Sequence, residues 1–453
     1  MHPSGNAHVA RVFTDLTQDV RYAVRGLRHA KVFTLAAIAS LALGIGANVA
    51  IFSIIDALLL RALPLDHPDQ LLFVNRTAGP GGDSIYSFPE LASFRAAAPD
   101  LPLAAMSGTS SVQLTIDRAA ELAVGQLVTS NWFDVLGVHP VLGRLLGTAG
   151  DGAVDAEPFV VLSEGFWTSR FARDPSIVGR TVLINRLPFT IVGVAGRFSG
   201  VTVGQAVNVW MSVAMQHALA FSAGGYSRDA DDRKPWLTQD GIEWLMAVAR
   251  VPPAVDRTAA LVRLDREFRV RVEARASTTS DPDARALILR DHLELRPGAR
   301  GLSPLRDELS PALILLMATV SLLLLVACAN LANLLLARSA GRVHEFALRA
   351  SLGASHSRVV RQCMTESPLL SIAGGALGLI VAKLSGAVLL RLASNSAAAI
   401  PLVLPTDVRL LAFGFGASIL TGVCFGLAPA VRLARGDATA ALRTAEGLRP
   451  EPS

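Results

Sequence analysis

Side chains that could perform acid–base, nucleophilic or metal chemistry are scattered in this sequence and lack the spacing that such chemistry requires. The acidic run of Asp229, Asp231 and Asp232 does not match an EF-hand loop, so we interpret it as solvated, with Ca²⁺ binding as the alternative. There is no G-x-S-x-G, H-E-x-x-H or P-loop motif. Residues 61–309 contain four histidines that also lack the spacing of metal ligands. They are His67, His139, His217 and His292. We therefore predict no catalytic residue, metal site or cofactor, and no ATP hydrolysis by this chain alone.

The composition of the chain is unusually apolar. Hydrophobic residues make up 51% of the 453 residues and charged residues only 17%, which indicates that part of the chain lies in lipid. The cysteines fall in or beside the apolar runs, so no disulfide framework is predicted. They are Cys328, Cys363 and Cys424.

Four apolar runs are long enough to cross a bilayer, whose core of about 30 Å needs about 20 helical residues. We predict transmembrane helices at 32–60, 310–337, 366–391 and 408–431. The first is expected to be an uncleaved anchor, since no signal peptide precedes it. The alternative, buried helices of a soluble core, is disfavoured because the four runs carry almost no charge.

The placement of arginine predicts the topology. Residues 1–31, 338–365 and 432–453 are basic and belong on the cytoplasmic side, whereas the short outside loop 392–407 has no lysine or arginine. Both termini are then cytoplasmic, and residues 61–309 form a domain outside the cytoplasm. The predicted fold is an α-helical membrane protein with four transmembrane helices and a large α+β extracytoplasmic domain between helices 1 and 2. Topology explains the basic charge, so no nucleic-acid partner is expected.

Small residues recur at every fourth position in the spans, which lets helix backbones approach closely in lipid. Packing within the chain and packing against a second copy are both open. The helix-packing candidates are Gly374, Gly378, Gly386, Gly414, Ser418, Gly422 and Gly426. Polar side chains in the spans, which should face protein or water, are Asn48, Asp56, Asn330 and Asn333.

The outside domain alternates strand-like and helical patterns. Helices are predicted at 87–98 and 255–272, the second with Leu261, Leu264 and Phe268 on one face. The predicted strands are 121–129, 158–162, 180–185 and 189–194, with the last two joined as a hairpin across residues 186–188.

Several stretches resemble MacB/FtsX-like ABC transporter permeases, particularly the branch of acidobacterial duplicated orphan permeases. Residues 327–367 resemble the second span and following loop of the family, and residues 19–64 resemble its amphipathic leading segment and first span. Residues 131–144 and 163–196 are similar to the MacB-type periplasmic core domain. The resemblance implies a bacterial inner-membrane protein whose outside domain is periplasmic or extracellular.

The resemblance also implies that the loop between spans two and three couples to a separate ABC ATPase. From the residues alone, this loop contains a short amphipathic helix that could equally lie on the membrane surface. The matching coupling residues are Glu345, Phe346, Ala347, Leu348, Arg349, Leu352, Gly353 and Ala354. In the family, ATP-driven motion passes through this loop to the outside domain for export or envelope remodelling.

The sequence differs from the acidobacterial duplicated orphan permeases in one respect. It carries one copy of a unit that is usually present twice in that branch. The expected partners are therefore an ABC ATPase, a second permease copy as a homodimer or heterodimer, membrane lipid and a periplasmic adaptor. Two other functions stay open. One is an FtsX-like regulator of cell-wall enzymes, and the other is an ATPase-independent membrane receptor or scaffold.

Overall fold

The computed structural model describes residues 25, 28–77, 84–117, 119–147, 151, 158–223, 225–227, 231, 233–340, 369–384, 412–417 and 419–420. The chain divides into two compact units. The helical unit combines Met1–Leu59 with Pro304–Ser453, and the α+β unit is Leu60–Ser303.

The helices, in chain order, are α1 (Lys31–Ile55), α2 (Phe88–Ala97), α3 (Trp132–Leu136), α4 (Glu164–Phe171), α5 (Arg257–Thr278), α6 (Pro282–Leu289), α7 (Pro304–Ala340) and α8 (Leu369–Leu384). The strands are β1 (Leu71–Arg76), β2 (Ile85–Tyr86), β3 (Leu103–Ile116), β4 (Ala119–Val128), β5 (Pro140–Gly143), β6 (Phe159–Ser163), β7 (Thr181–Ile184), β8 (Leu187–Ala195), β9 (Val209–Ser212), β10 (Tyr226–Ser227), β11 (Ile242–Glu243), β12 (Leu245–Arg250) and β13 (Leu293–Pro297). A π-helix, Asp56–Leu60, directly follows α1.

Two helices of the described residues, α1 and the part of α7 at Ser310–Ala329, are long and apolar enough to cross a membrane. The apolar helix α8 is shorter, and residues 412–417 and 419–420 are helical. The remainder of the third and fourth predicted spans lies outside the described residues. The count of four transmembrane helices therefore stays a prediction.

An eleven-stranded sheet forms the body of the α+β unit. Its strand order is β13-β1-β12-β3-β4-β9-β6-β8-β5, with β2 paired to β12 and β7 bridging β3 and β8. Only the pairs β4–β9 and β6–β8 are parallel among the described strand pairs. This mixed sheet with helices confirms the α+β prediction.

The predicted hairpin is formed by β7 and β8, but its turn lies earlier than expected. Asn185 and Arg186 both have positive φ, 47° and 71°, as a two-residue type I′ turn requires. Leu187 and Pro188, predicted to be in the loop, instead pair with Ile184 and Leu183 in the strands. The other predicted strands coincide with β4 and β6.

Helix α5 follows its predicted periodicity and covers one face of the sheet. Asp256 caps its first turn by accepting from the amides of Thr258 and Ala259. Buried residues then recur at every fourth position, and α2 lies over the same core, whereas α3 belongs to a second core. The buried residues of α5 are Ala260, Leu264, Phe268, Val272 and Ala276.

Candidate functional site

The chain enters and leaves the α+β unit through two segments that are bonded to each other. The amide of Leu63 donates to the carbonyl oxygen of Ala299 at 2.8 Å, and the second segment is also bonded to the first residue of β1, since the amide of Gly298 donates to the carbonyl oxygen of Leu71 at 2.7 Å. We call residues 61–65 and 298–303 the junction. One segment follows α1 in the chain and the other precedes α7, so the junction ties together the two chain segments that lead to these helices.

Gly301 allows the junction to pass close to the body of the unit. Its φ is +68°, and an added Cβ would lie 2.3 Å from the carbonyl oxygen of Val201. The next residue, Leu302, donates to that same oxygen at 2.9 Å and accepts from the amide of Val203 at 2.7 Å. A side chain at position 301 is therefore excluded by backbone conformation and by contact.

Replacing Gly301 with valine is expected to lower the free energy of unfolding of the α+β unit by more than about 2 kcal/mol, from left-handed strain and the clash with Val201. Urea unfolding of the full-length chain, followed by tryptophan fluorescence, measures the loss. Gly241→Val is the control, because Gly241 has open space around an added Cβ. Equal losses in the two variants would contradict this account.

Arg250, the last residue of β12, holds the chain between the junction and β1. Its Nε donates to the carbonyl oxygen of Val135, and its Nη1 donates to those of Asp66 at 3.0 Å and His67 at 3.3 Å. Burial lowers the pKa of this guanidinium, although the nearby carboxylates of Asp66 and Asp69 act in the opposite direction. The Arg250 side chain thus binds the main-chain carbonyl groups of Asp66 and His67 and holds this loop against the sheet.

A buried charge network lies where β1 ends. The Arg76 guanidinium contacts Asp291 at 2.9 Å and Glu243 at 3.0 Å, and the side chains of Arg76 and Asp291 are each only 4% exposed. Arg275 of α5 lies 3.5 Å from Glu243, and the Arg76 guanidinium lies over the ring of Phe268, 5.4 Å from its centroid. The network joins β1, β11 and α5 to the residues that precede β13.

Glu90 of α2 is buried beside this network. Burial and the negative charge of Glu243 raise its pKa to about 7, against the opposing effects of Arg271 and Arg76. A carboxyl group with such a pKa changes its charge near neutral pH, whereas an ordinary glutamate remains ionised.

The raised pKa of Glu90 predicts that stability falls as pH rises. The folded unit holds the Glu90 proton more tightly than the unfolded chain, so this contribution is complete below about pH 4.5 and is lost as pH rises through about 7. Between pH 5 and pH 8 it amounts to on the order of 3 kcal/mol. We expect Glu90→Gln to lose less stability over this range than the unaltered chain, measured by urea unfolding. The exposed Glu273→Gln variant should follow the unaltered chain, and a parallel profile for Glu90→Gln would refute the assignment.

The structure brings three of the predicted packing glycines against neighbouring helices. An added Cβ at Gly374 would lie 2.6 Å from Cβ of Leu41, and one at Gly378 would lie 3.1 Å from the carbonyl oxygen of Ala42, both in α1. Gly414 lies against α8 and α1 in the same way. The other packing candidates, Gly386, Ser418, Gly422 and Gly426, lie outside the described residues, as do the coupling residues Glu345, Phe346, Ala347, Leu348, Arg349, Leu352, Gly353 and Ala354.

Two of the polar residues predicted to avoid lipid, Asn48 and Asp56, are buried, at 3% and 8% exposure. The side chains of Asn330 and Asn333 lie outside the described part of the chain.

Sequence reasoning missed Arg76, Glu90 and the junction. The available signals in the sequence were Arg76 at the end of an apolar run and Gly301 shortly before Pro304.

Comparison with known families gives two consecutive matches. A MacB-like periplasmic core domain matches residues 34–292, and an FtsX-like permease C-terminal domain matches residues 317–438. The solved periplasmic region of MacB from Actinobacillus actinomycetemcomitans aligns with 51% of this chain and 99% of its own, with TM-score 0.33 and 15% identity.

Two similar relatives are named as export proteins. The pyoverdine export ATP-binding/permease protein PvdT of Pseudomonas entomophila is 27% identical over 69% of this chain and 42% of its own length. The macrolide export ATP-binding/permease protein MacB 1 of Aeromonas hydrophila is 26% identical over 73% of this chain and 45% of its own. The chain thus spans less than half of either relative. Since the core-domain match covers more than half of this chain and the permease match follows it, the chain belongs to the MacB/FtsX-like family of ABC transporter permeases.

Proposed function

We propose that this chain is the permease subunit of an ATP-driven machine for export or envelope remodelling in the bacterial inner membrane. A separate ABC ATPase binds the coupling loop 338–365 on the cytoplasmic side, where both termini also lie. Its motion passes to the α+β unit on the periplasmic side, and the chain contributes no catalytic residue. The export names of the relatives support the transport class.

Helix α7 is the observation that carries this proposal. It begins at Pro304, directly after the last residue of the α+β unit, and continues to Ala340, inside the predicted coupling loop. Its 37 residues span about 55 Å at 1.5 Å per residue, more than the bilayer core of about 30 Å. The helix continues through Pro311, which lacks a backbone N–H. One element can therefore carry a displacement of the coupling loop to the junction.

The contacts of Gly374, Gly378 and Gly414 support a packing role within the chain. They favour a tight group of helices that moves as one body around α1. A second permease copy and a periplasmic adaptor complete the proposed assembly.

Co-purification of the tagged full-length chain from its native membranes tests the proposal. We expect recovery of a protein that mass spectrometry identifies as an ABC ATPase, and its loss with Glu345→Arg or Arg349→Glu. Arg449→Glu in the tail is the control charge reversal and should retain the ATPase. Failure to recover an ATPase after in-membrane cross-linking would overturn the proposal, and so would equal recovery with all three variants.

A further inference from the structure

Asn48 is a polar side chain buried in the apolar helix α1 and bonded to α7. Its Nδ2 donates to the carbonyl oxygen of Val320 at 3.2 Å, and its Oδ1 accepts from the hydroxyl of Ser321 at 3.0 Å. The Nδ2 also donates to the carbonyl oxygen of Gly44 in its own helix at 2.9 Å. The amide group thus makes two bonds across the helix pair and one within α1.

From this geometry we infer that Asn48 sets the axial register between α1 and α7, so that the two helices move without sliding past each other. Hydrophobic driving force is absent between helices in lipid, which leaves packing and interhelical hydrogen bonds to fix their positions. A buried asparagine that specifies register in coiled coils is the precedent in water.

The sequence of α7 offers Asn48 one suitable position. Between residues 312 and 326 the only polar side chains are Thr319 and Ser321. The Thr319 hydroxyl is exposed and donates to the carbonyl oxygen of Leu315 in its own helix. A slip of one turn would place Leu324 or Met317 opposite Asn48. A main-chain carbonyl of α7 would still be available to Nδ2, but Oδ1 would lose the Ser321 hydroxyl that donates to it in the native register. Because an unsatisfied amide is costly in a medium without water, the slipped registers are disfavoured.

Packing around Asn48 is close along one face of α7 and acts together with the hydrogen bonds. An added Cβ at Gly44 would lie 2.7 Å from Cδ1 and 3.8 Å from Cβ of Leu324, one turn along α7 from Ser321. Much of the remaining surface of the α7 span is exposed, including Ile314, Leu315, Leu322 and Leu325. The helix is therefore held along one face, and the bond between Asn48 and Ser321 is a side-chain hydrogen bond that joins α1 to α7 there.

The role of this pair in transmission rests on the proposed function. If α7 carries displacement from the coupling loop, a fixed register requires α1 to follow it. The two segments of the junction would then move in the same direction, which is compatible with the hydrogen bond between Leu63 and Ala299.

Disulfide trapping in membranes tests the register directly. The 3.8 Å separation at Gly44 and Leu324 matches the mean Cβ–Cβ distance of disulfides, about 3.8 Å. A native-register reporter therefore carries Gly44→Cys, Leu324→Cys and Cys328→Ser. A slipped-register reporter carries Gly44→Cys alone with the native Cys328, which lies one further turn along α7. In both reporters Cys363 and Cys424 are replaced by serine, and oxidised peptides are quantified by mass spectrometry without ATP.

We expect the native-register disulfide to dominate while Asn48 is intact. The ratio of slipped to native disulfide should rise about threefold in both Asn48→Leu and Ser321→Ala, because each substitution removes the one interhelical bond that differs between the two registers. Ser321→Thr keeps a hydroxyl and should hold the ratio, and the matched control Thr319→Ala should leave it unchanged.

An unchanged ratio in both Asn48→Leu and Ser321→Ala overturns the inference, and so does an equal rise in Thr319→Ala. Ser321→Ala removes one hydroxyl and keeps the Asn48 amide, so it supplies the result if Asn48→Leu fails to insert. Since this measurement needs no ATPase, it can fail while co-purification succeeds, or succeed while co-purification fails.

Discussion

Replacing Arg76 with methionine is expected to lower the free energy of unfolding of the α+β unit by about 3–5 kcal/mol. The change would leave Asp291 and Glu243 buried without the guanidinium that contacts both at 2.9–3.0 Å. Removing one member of a buried ion pair is costly because the other charge remains in a medium that solvates it poorly. Glu90 lies nearby, so its proton should also be held more tightly in this variant.

Tryptophan fluorescence measures this loss in the full-length chain, because all five tryptophans belong to the α+β unit. They are Trp132, Trp167, Trp210, Trp236 and Trp244. Arg266→Met, on the exposed face of α5, is the control and should change stability by less than about 0.5 kcal/mol. Combining Arg76→Met with Glu243→Gln and Asp291→Asn should recover part of the loss, since the buried charges are then removed together. A loss no larger than that of the control would contradict the network.

Interrupting α7 with a flexible insert is expected to abolish the transmission of ATP-driven motion. Inserting Gly-Gly-Ser-Gly between Asp307 and Glu308 breaks the helix between the α+β unit and the apolar span. Glycine-rich chain behaves as a flexible coil and transmits little displacement. The measurement is the ATP-dependent change in tryptophan fluorescence of the reconstituted complex, which we expect to disappear while ATP hydrolysis continues.

The same insert after Ser280 is the control, since this exposed residue lies between α5 and α6 in the chain and belongs to neither the junction nor α7. It should preserve the ATP-dependent fluorescence change. A full response from the α7 insertion variant would exclude α7 as the link and would direct attention to α1.

The elements that sequence predicted correctly are those whose pattern is local. Helix α5 followed from apolar residues at helical spacing, and the β7–β8 hairpin followed from two short β-rich runs, although its turn was placed too late. The positive φ of Asn185 and Arg186 explains that error, since asparagine accepts the left-handed region readily and Leu187 was free to continue the strand. Membership of the permease family was predicted from resembling stretches and is confirmed.

The features that sequence did not predict depend on contacts between distant residues. Arg76 and Asp291 are separated by 215 positions, and Asn48 and Ser321 by 273. The pattern indicated that Asn48 needs a protein or water partner, but no local rule identifies Ser321 as that partner. The coupling residues, including Glu345 and Arg349, rest on family resemblance, because an amphipathic stretch alone also fits a membrane surface.

The bond between Leu63 and Ala299 has a consequence for how such proteins diversify. A folded insert whose ends meet can be exchanged for another without changing the spacing of the flanking helices, as successful domain insertions require. The α+β unit would then behave as a cassette, and related permeases could acquire new specificities by replacing it between positions 61 and 303. A chimaera that joins a foreign insert at these two positions should retain the helix packing around α1.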